Sequence, residues 1–320
     1  MSILSWLKGE KPAPAAGIEI RDSGGLSFIT VQSPSFYGSC ERSANGRYIV
    51  AWRDGNDEGT HGGARTEGKG RYLLIDNDRV VADGRMERPN DGHVADNGCF
   101  VLNDWRFFTN QLRGTFYAFR PDGSEILRQK FRANLYNCGI ARDGHFACCQ
   151  TANSDSEKDS SVLAIFDLEK GNEFARWRPE SGCASRYAFS DDGAHILLSY
   201  NQGPPLRYTF AGAFVDRGLW IDSSLERGDL YMIERVIKET HSKPQGAFAR
   251  RLIACIDTGL ATVPANDPRT RGFGLKLRAT CLDGVEEWAE ALAAYEAALA
   301  LDPKLGVKRR IDQLRKKLAS

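Results

Sequence analysis

Four segments of the sequence carry the same turn at nearly regular intervals, which restricts the first two-thirds of the chain to folds built from a repeated unit. Each segment has a short apolar run, an Asn-Gly or Asp-Gly pair and a second apolar run, as in "CERSANGRYIV" and "RYAFSDDGAHILL". The turn glycines are Gly46, Gly98, Gly144 and Gly193, spaced 52, 46 and 49 residues apart. Asn-Gly and Asp-Gly pairs tolerate positive φ at both turn centres, so we expect each pair to close a tight hairpin.

A second pair of apolar runs follows each hairpin. The four pairs are "RYLLIDNDRVVADG", "GTFYAFRPDGSEILRQKF", "SVLAIFDLEKGNEFARWR" and "LRYTFAGAFVDRGLW". Four antiparallel strands in every repeat of about 45–50 residues predict a β-propeller with four clear blades, which we place at residues 17–223. The earlier runs "GIEIRD" and "LSFITVQ" either close the ring or contribute to a fifth blade.

The repeats also resemble known propellers. "RYAFSDDGAHILLSY" is similar to WD-repeat and related families, and "GTFYAFRPDGSEILRQKF" is similar to blades of quinoprotein-like propellers. No repeat ends its third strand in Trp-Asp, and Phe166-Asp167 comes nearest. The resemblance covers roughly residues 18–223 and implies a generic, WD-repeat-like propeller.

Residues 224–320 are predicted to be helical, because apolar residues there recur every three or four positions. The segment "EEWAEALAAYEAALALDP" places Ala291, Tyr295, Ala298 and Pro303 at the spacing of the second helix of a tetratricopeptide repeat. We therefore expect an all-α helical-hairpin domain of tetratricopeptide-like type, with Tyr295 buried between paired helices.

The remaining segments and the composition point to a cytoplasmic protein. Residues 1–16 are predicted to be a tail and linker, in which residues 3–7 are either a docking peptide, or disordered or casually packed onto the domain. No apolar run approaches 18 residues, so we expect no membrane span. The eight cysteines form no C-x-x-C pair and are expected to be reduced. The net charge of +1 gives no global attraction to nucleic acid or membrane.

Motifs for catalysis, cofactors or metals are absent from the sequence. The residues six positions before each turn glycine, expected on the innermost strands, include no carboxylate or histidine: Cys40, Gly92, Cys138 and Tyr187. The loop "DGNDEG" at residues 54–59 opens like a calcium loop but lacks the closing carboxylate. We therefore expect a solvated loop, no cofactor, no metal and no enzyme activity.

The loops between the second and third strands of each repeat are expected to emerge on one face and to bind a partner protein. They cover residues 54–70, 104–113, 152–160 and 201–205. Clustered aromatic side chains beside an arginine are typical of binding anchors, and acidic neighbours favour a basic partner. The predicted anchor is Trp105, Arg106, Phe107 and Phe108, and the predicted rim includes Asp57, Glu58, Asp155 and Glu157. In the alternative interpretation, Trp105 or Phe107 folds inward and fills the gap between blades.

The sequence thus favours a non-catalytic protein-binding scaffold or adaptor that uses a propeller face and a helical-hairpin groove. One alternative is a small-molecule-binding or hydrolytic propeller enzyme. A second is a nucleic-acid-binding accessory protein that uses the basic C-terminal helix, which carries Lys308, Arg309, Arg310, Arg315, Lys316 and Lys317. Partner identity and oligomeric state are left open.

Overall fold

The computed structural model divides the chain into two compact units, Met1–Asp216 and Arg217–Ser320. It describes residues 17–56, 58, 60, 62–63, 68–105, 112–240 and 243–319. The tail at residues 1–16, with its candidate docking peptide, lies outside these described residues.

The first unit contains antiparallel sheets in chain order. Sheet 1 holds β1 (Ile18–Ser23), β2 (Leu26–Val31), β3 (Phe36–Arg42), β4 (Tyr48–Arg53), β5 (Gly70–Asp76) and β6 (Arg79–Met86). Sheet 2 holds β7 (Pro89–Val94), β8 (Phe100–Trp105), β9 (Gly114–Phe119) and β10 (Glu125–Phe131). Sheet 3 holds β11 (Leu135–Ile140), β12 (Phe146–Thr151), β13 (Leu163–Asp167) and β14 (Asn172–Trp177). Sheet 4 holds β15 (Arg186–Phe189), β16 (His195–Ser199) and β17 (Leu206–Thr209).

The strands that precede the first repeat extend an existing sheet. β2 pairs along β3, with Val31 opposite Phe36, and β1 pairs on the far side of β2. The runs "GIEIRD" and "LSFITVQ" therefore add a hairpin to the free side of β3 in sheet 1.

The four repeat turns share one local chemistry, which differs from the expected one. Each turn glycine has positive φ, from 64° at Gly193 to 86° at Gly98, but the Asn or Asp before it does not. That side chain instead accepts the backbone N–H two residues on, as Asn97 Oδ1 does from Cys99 at 2.9 Å. An Asx turn followed by glycine satisfies the backbone without placing a branched residue at positive φ.

Successive sheets pack face to face through apolar clusters, which gives a propeller-like arrangement. Phe100 and Leu102 pack on sheet 1, whereas Val101 and Phe116 pack on sheet 3. Side chains alternate between the two faces of a strand, so the central strand β8 contributes to both junctions. The junction of sheets 3 and 4 is centred on Tyr208, which is almost fully buried.

Sheet 4 is shorter than the sequence predicted. After β17, a single bridge between Tyr208 and Phe214 stands where a further strand was expected. Helix α1 (Arg217–Glu226) begins directly after Asp216, whose carboxylate pairs with Arg207 at 2.7 Å. The predicted boundary after residue 223 consequently falls inside α1, and the first compact unit ends at Asp216.

The second unit is helical throughout its regular elements. After α1 come α2 (Leu230–Glu239), α3 (Gly246–Thr262), α4 (Pro268–Gly284), α5 (Trp288–Leu301) and α6 (Lys308–Ala319). Side-chain N-caps begin two of these helices: Asp229 accepts the amides of Tyr231 and Met232, and Asp267 accepts that of Thr270. Among the described helices, none combines the length and apolar character that crossing a bilayer requires.

The hairpin of α4 and α5 buries the predicted aromatic residue. Tyr295 is 5% exposed, and its hydroxyl lies 3.2 Å from Thr280 Oγ1 on α4. Ala291 and Ala298, one turn to either side on α5, are fully buried. The expected burial of Tyr295 is confirmed, and the tetratricopeptide assignment of the hairpin stays a prediction.

Candidate partner-binding groove

A groove of about 950 Å³ opens on the first unit beside sheet 1. Its walls are β2, β3, the end of β4 with the loop that follows, and the start of β7. The floor needs a glycine, because a Cβ on Gly38 would lie 2.3 Å from the Trp52 carbonyl oxygen. Of the added hairpin, β2 alone contributes to the groove, along its edge with β3.

Aromatic rings line much of this groove. Tyr37 is 61% exposed, and its ring stacks on Phe28 at 6.2 Å between centroids and 10° between planes. Phe36 and Trp52 line the same space, and the Arg53 guanidinium lies 5.3 Å from the centre of the Phe36 ring. A stacked aromatic pair with one exposed ring is the kind of surface on which proteins bind cationic or aromatic side chains.

The polar lining of the groove mixes donors, among them the Arg53 guanidinium, with acceptors that an incoming donor could use. Glu58 is exposed on its rim, and the buried Oδ1 of Asn90 has no hydrogen-bond partner among the described residues. Asp54 is already engaged, since its Oδ2 accepts the Gly63 amide at 2.8 Å and lies 3.4 Å from Arg88 Nε. An incoming donor would thus meet Asn90 and Glu58 without displacing an internal contact of Asp54.

The predicted partner-binding residues are only partly placed by the structure. Glu58 lines the groove, whereas Asp57, Arg106, Phe107 and Phe108 lie outside the described residues. The calcium-like loop at residues 54–59 also falls partly outside them, and its Asp54 oxygen is used as described above.

Trp105 lies at the junction of sheets 2 and 3. Its indole N–H donates to the Leu135 carbonyl at 2.9 Å, and the Arg88 guanidinium lies 5.5 Å from its ring centre. The side chain is half-buried, so the geometry of this one residue matches the alternative in which it fills the gap between neighbouring sheets.

Asp155 and Glu157 are exposed on the loop between β12 and β13, as a rim residue must be. The Glu157 carbonyl accepts a hydrogen bond from Arg178, which holds the loop against the end of β14. Their role in binding stays a prediction.

Several basic side chains of α6 are occupied within the second unit. Arg310 pairs with the buried Asp283 on α4, and Arg315 pairs with Glu296 on α5. The Lys317 ammonium lies 3.5 Å from the centre of the Trp288 ring. These contacts fix α6 against the α4–α5 hairpin.

The structure also brings Cys138, which was expected on an innermost strand, together with two residues that the sequence did not single out. Asp91 and His93 on β7 lie next to Cys138 on β11, and their ligand-type atoms are all within 4.8 Å of one another. The available signal was "DGH" on a strand, where residues two apart share a face.

Comparison with known proteins gives partial structural likeness alone. No family model matches the sequence, and no curated protein matches it. Hsv2 of Kluyvelomyces marxianus is 10% identical over 60% of this chain and 56% of its own, with a TM-score of 0.36. BamB of Moraxella catarrhalis is 13% identical over 55% of this chain and 46% of its own, with a TM-score of 0.38. The chain spans about half the length of these two structures.

Proposed function

We propose that this chain is a non-catalytic protein-interaction module that binds a basic side chain of a partner protein in the groove beside sheet 1. The observation that carries the proposal is the stack of the half-buried Phe28 ring on the exposed Tyr37 ring in the lining of a groove of about 950 Å³. A protein surface of this kind supports docking of an extended peptide.

The chemistry of the groove favours lysine or arginine as the anchoring residue. The Asn90 acceptor lacks a donor among the described residues, Glu58 supplies an exposed carboxylate, and the Tyr37 ring supplies a π-face. A cationic side chain satisfies all three, because it donates hydrogen bonds, pairs with a carboxylate and is attracted to aromatic faces.

Three further parts of the scaffold hypothesis are proposed together with this groove: additional partner contacts, the type of the helical hairpin and the cellular location. The acidic loop residues Asp155 and Glu157 are proposed as further contacts for the same basic partner, and the α4–α5 hairpin as a tetratricopeptide-like element. A reducing, cytoplasmic location is proposed because none of the eight cysteines is in a disulfide.

The groove is tested by selecting binders from a random 12-residue peptide library on the wild-type chain. We expect the enriched peptides to carry lysine or arginine, and we expect Tyr37→Ala and Glu58→Gln to weaken them about tenfold, as loss of roughly 1.4 kcal/mol at a binding contact does. Tyr136→Ala is the matched control, since Tyr136 is 53% exposed on β11 and does not line the groove. Binding that is equal for Tyr37→Ala and the wild type, or lost equally with Tyr136→Ala, would refute the groove as the site.

A further inference from the structure

Sheets 2 and 3 meet through a compact cluster of three different ligand types. The Asp91 carboxylate accepts the backbone N–H of Cys138 at 2.8 Å through Oδ2, and its Oδ1 lies 3.7 Å from His93 Nε2. The Cys138 side chain is buried at 2% exposure, whereas the His93 side chain keeps 33%. Carboxylate, imidazole and thiol thus converge from two separate strands.

The next junction along the chain, between sheets 3 and 4, has a hydrogen-bonded arrangement of protein side chains at the corresponding position. Between sheets 3 and 4, the Tyr187 hydroxyl lies 2.5 Å from Asn137 Oδ1 and 2.7 Å from Gln150 Oε1. Asn137 Nδ2 and Gln150 Oε1 also bond the backbone of Ala184, at 2.7 and 2.9 Å. The side chains of Asn137, Gln150 and Tyr187 at that junction are therefore all hydrogen-bonded within the protein.

The junction of sheets 2 and 3 keeps the same positions but changes the residues. Asp91 lies opposite Asn103 in the sheet register, as Asn137 lies opposite Gln150. Cys138 stands six residues before its turn glycine, as Tyr187 does, and a cysteine cannot reach as far as a tyrosine. Asn103 is fully buried, and within the described part of the chain neither its Oδ1 nor its Nδ2 has a hydrogen-bond partner.

A buried amide without partners is rare, because it loses its hydrogen bonds to water and gains none in exchange. Asn103 shares a sheet face with Asp91, and that face is turned toward sheet 3, where Cys138 lies. The unpartnered amide and the three-residue cluster are independent observations, and both indicate a binding site at this junction.

We propose that the junction of sheets 2 and 3 binds one Zn²⁺ ion through Asp91, His93 and Cys138. These are the oxygen, nitrogen and sulfur ligands that zinc accepts, whereas Mg²⁺ and Ca²⁺ favour sites made of oxygen alone. The ion then connects sheet 2 to sheet 3, as the hydrogen bonds of Tyr187 connect sheet 4 to sheet 3. Asn103 then neighbours the fourth coordination position and bonds the ligand that occupies it.

One surrounding group suits this assignment. The Glu41 carboxylate lies 4.0 Å from His93 Nδ1, whereas Asp91 lies nearest the other ring nitrogen, and an outer carboxylate in such a position orients a ligating imidazole. Each Zn²⁺ that binds displaces the Cys138 thiol proton to solvent and holds the thiolate in its place.

The test uses the tag-free full-length chain titrated with Co²⁺, which reports thiolate ligation by a charge-transfer absorption, followed by competition with Zn²⁺. We expect one Co²⁺ per chain, displaced by one Zn²⁺. Cys138→Ser should abolish the thiolate band, and His93→Ala should weaken binding at least tenfold. Cys183→Ser and His145→Ala are matched controls outside the cluster and should bind as the wild type does.

Absence of stoichiometric Co²⁺ from the wild type, or a thiolate band that persists in Cys138→Ser, would overturn the proposal. If Cys138→Ser fails to fold by circular dichroism, His93→Ala decides, because that side chain is partly exposed; undiminished binding by His93→Ala rejects the site. Tyr37→Ala should bind Co²⁺ normally, so failure of the groove and failure of the metal site give different results.

Discussion

At the scale of single residues, two amides in equivalent positions should respond oppositely to the same substitution. Asn103 has no partner among the described residues, whereas Gln150 bonds the Ala184 amide and the Gly182 carbonyl. In metal-free protein, Asn103→Leu should raise the free energy of unfolding by about 1 kcal/mol, and Gln150→Leu should lower it by about 1–3 kcal/mol. Urea denaturation of both variants measures the pair, and equal signs would contradict the assignment of partners.

Residue-scale reasoning from the sequence succeeded where one position decides the outcome. The turn glycines and the burial of Tyr295 were predictable, because backbone freedom and helical spacing are local properties. Asp91 and His93 were not predicted, because only the residue six positions before each turn glycine was considered as a functional position. Asp91 and His93 stand seven and five positions before Gly98, so they lie on the opposite face of the strand. Their neighbour Cys138 is distant in the sequence, 47 residues after Asp91.

At the scale of elements, a buried carboxylate joins three parts of the helical unit. The Asp283 side chain is 1% exposed, and it accepts from Arg310 Nε at 2.7 Å and from Lys243 before α3. Burial alone would raise its pKa, but the hydrogen bonds from Arg310 and Lys243 outweigh that effect and lower it. The ionised carboxylate therefore links α4 to α6 through its ion pair with Arg310, and protonation of Asp283 at low pH removes this link.

The pH dependence follows from that direction. A carboxyl group whose pKa is lower in the folded state stabilises the fold above the unfolded value of about 4, and the contribution disappears as pH falls through the folded pKa. Amides of α4 and α6 should lose protection from hydrogen exchange as the pH is lowered below about 4.

The matching substitution is Asp283→Asn, which should destabilise the helical unit at pH 7 by about 3 kcal/mol, because it breaks a buried ion pair. Asp257→Asn is the control, since its pair with Arg278 is solvent-exposed and should contribute less than about 1 kcal/mol. Hydrogen exchange of the full chain measures both variants. Similar hydrogen-exchange protection of the α4 amides in the two variants would refute this role of Asp283.

Elements whose formation depends on local sequence were predicted correctly, whereas features that depend on contacts between distant elements were not. Helices α2 to α6 were signalled by apolar spacing, but α1 was taken for strand because "LRYTFAGAFVDRGLW" alternates up to its end. The groove was also missed, since its walls come from β2, β3, β4 and β7, and no sequence pattern states that β2 pairs along β3. Which strands pair depends on the apolar surfaces that the pairing buries in the folded protein, and a single strand's sequence does not contain that information.

At the scale of the whole molecule, the eight cysteines should behave as one exposed and seven protected thiols. Cys183 is exposed, while the other seven are buried or partly buried, and burial raises the pKa of all eight thiols. An Ellman titration at pH 8 should therefore show one fast thiol in native protein and eight in denaturant, because the thiolate is the reacting form. Fewer than eight in denaturant would reveal a disulfide and contradict a reducing location.

Several hydrogen bonds between successive sheets join residues that lie about one repeat apart in the chain. Asn45 bonds Asp96, Asn97 bonds the Asp143 carbonyl and Asn137 bonds the Ala184 carbonyl, over 51, 46 and 47 residues. During synthesis at about 5–20 residues per second, roughly 2–10 s pass between the synthesis of one sheet and that of the next sheet, which covers its apolar face. Over that interval the newest sheet presents an uncovered apolar face at the ribosome, so nascent chains stalled between repeats should be the forms most exposed to chaperones and to aggregation.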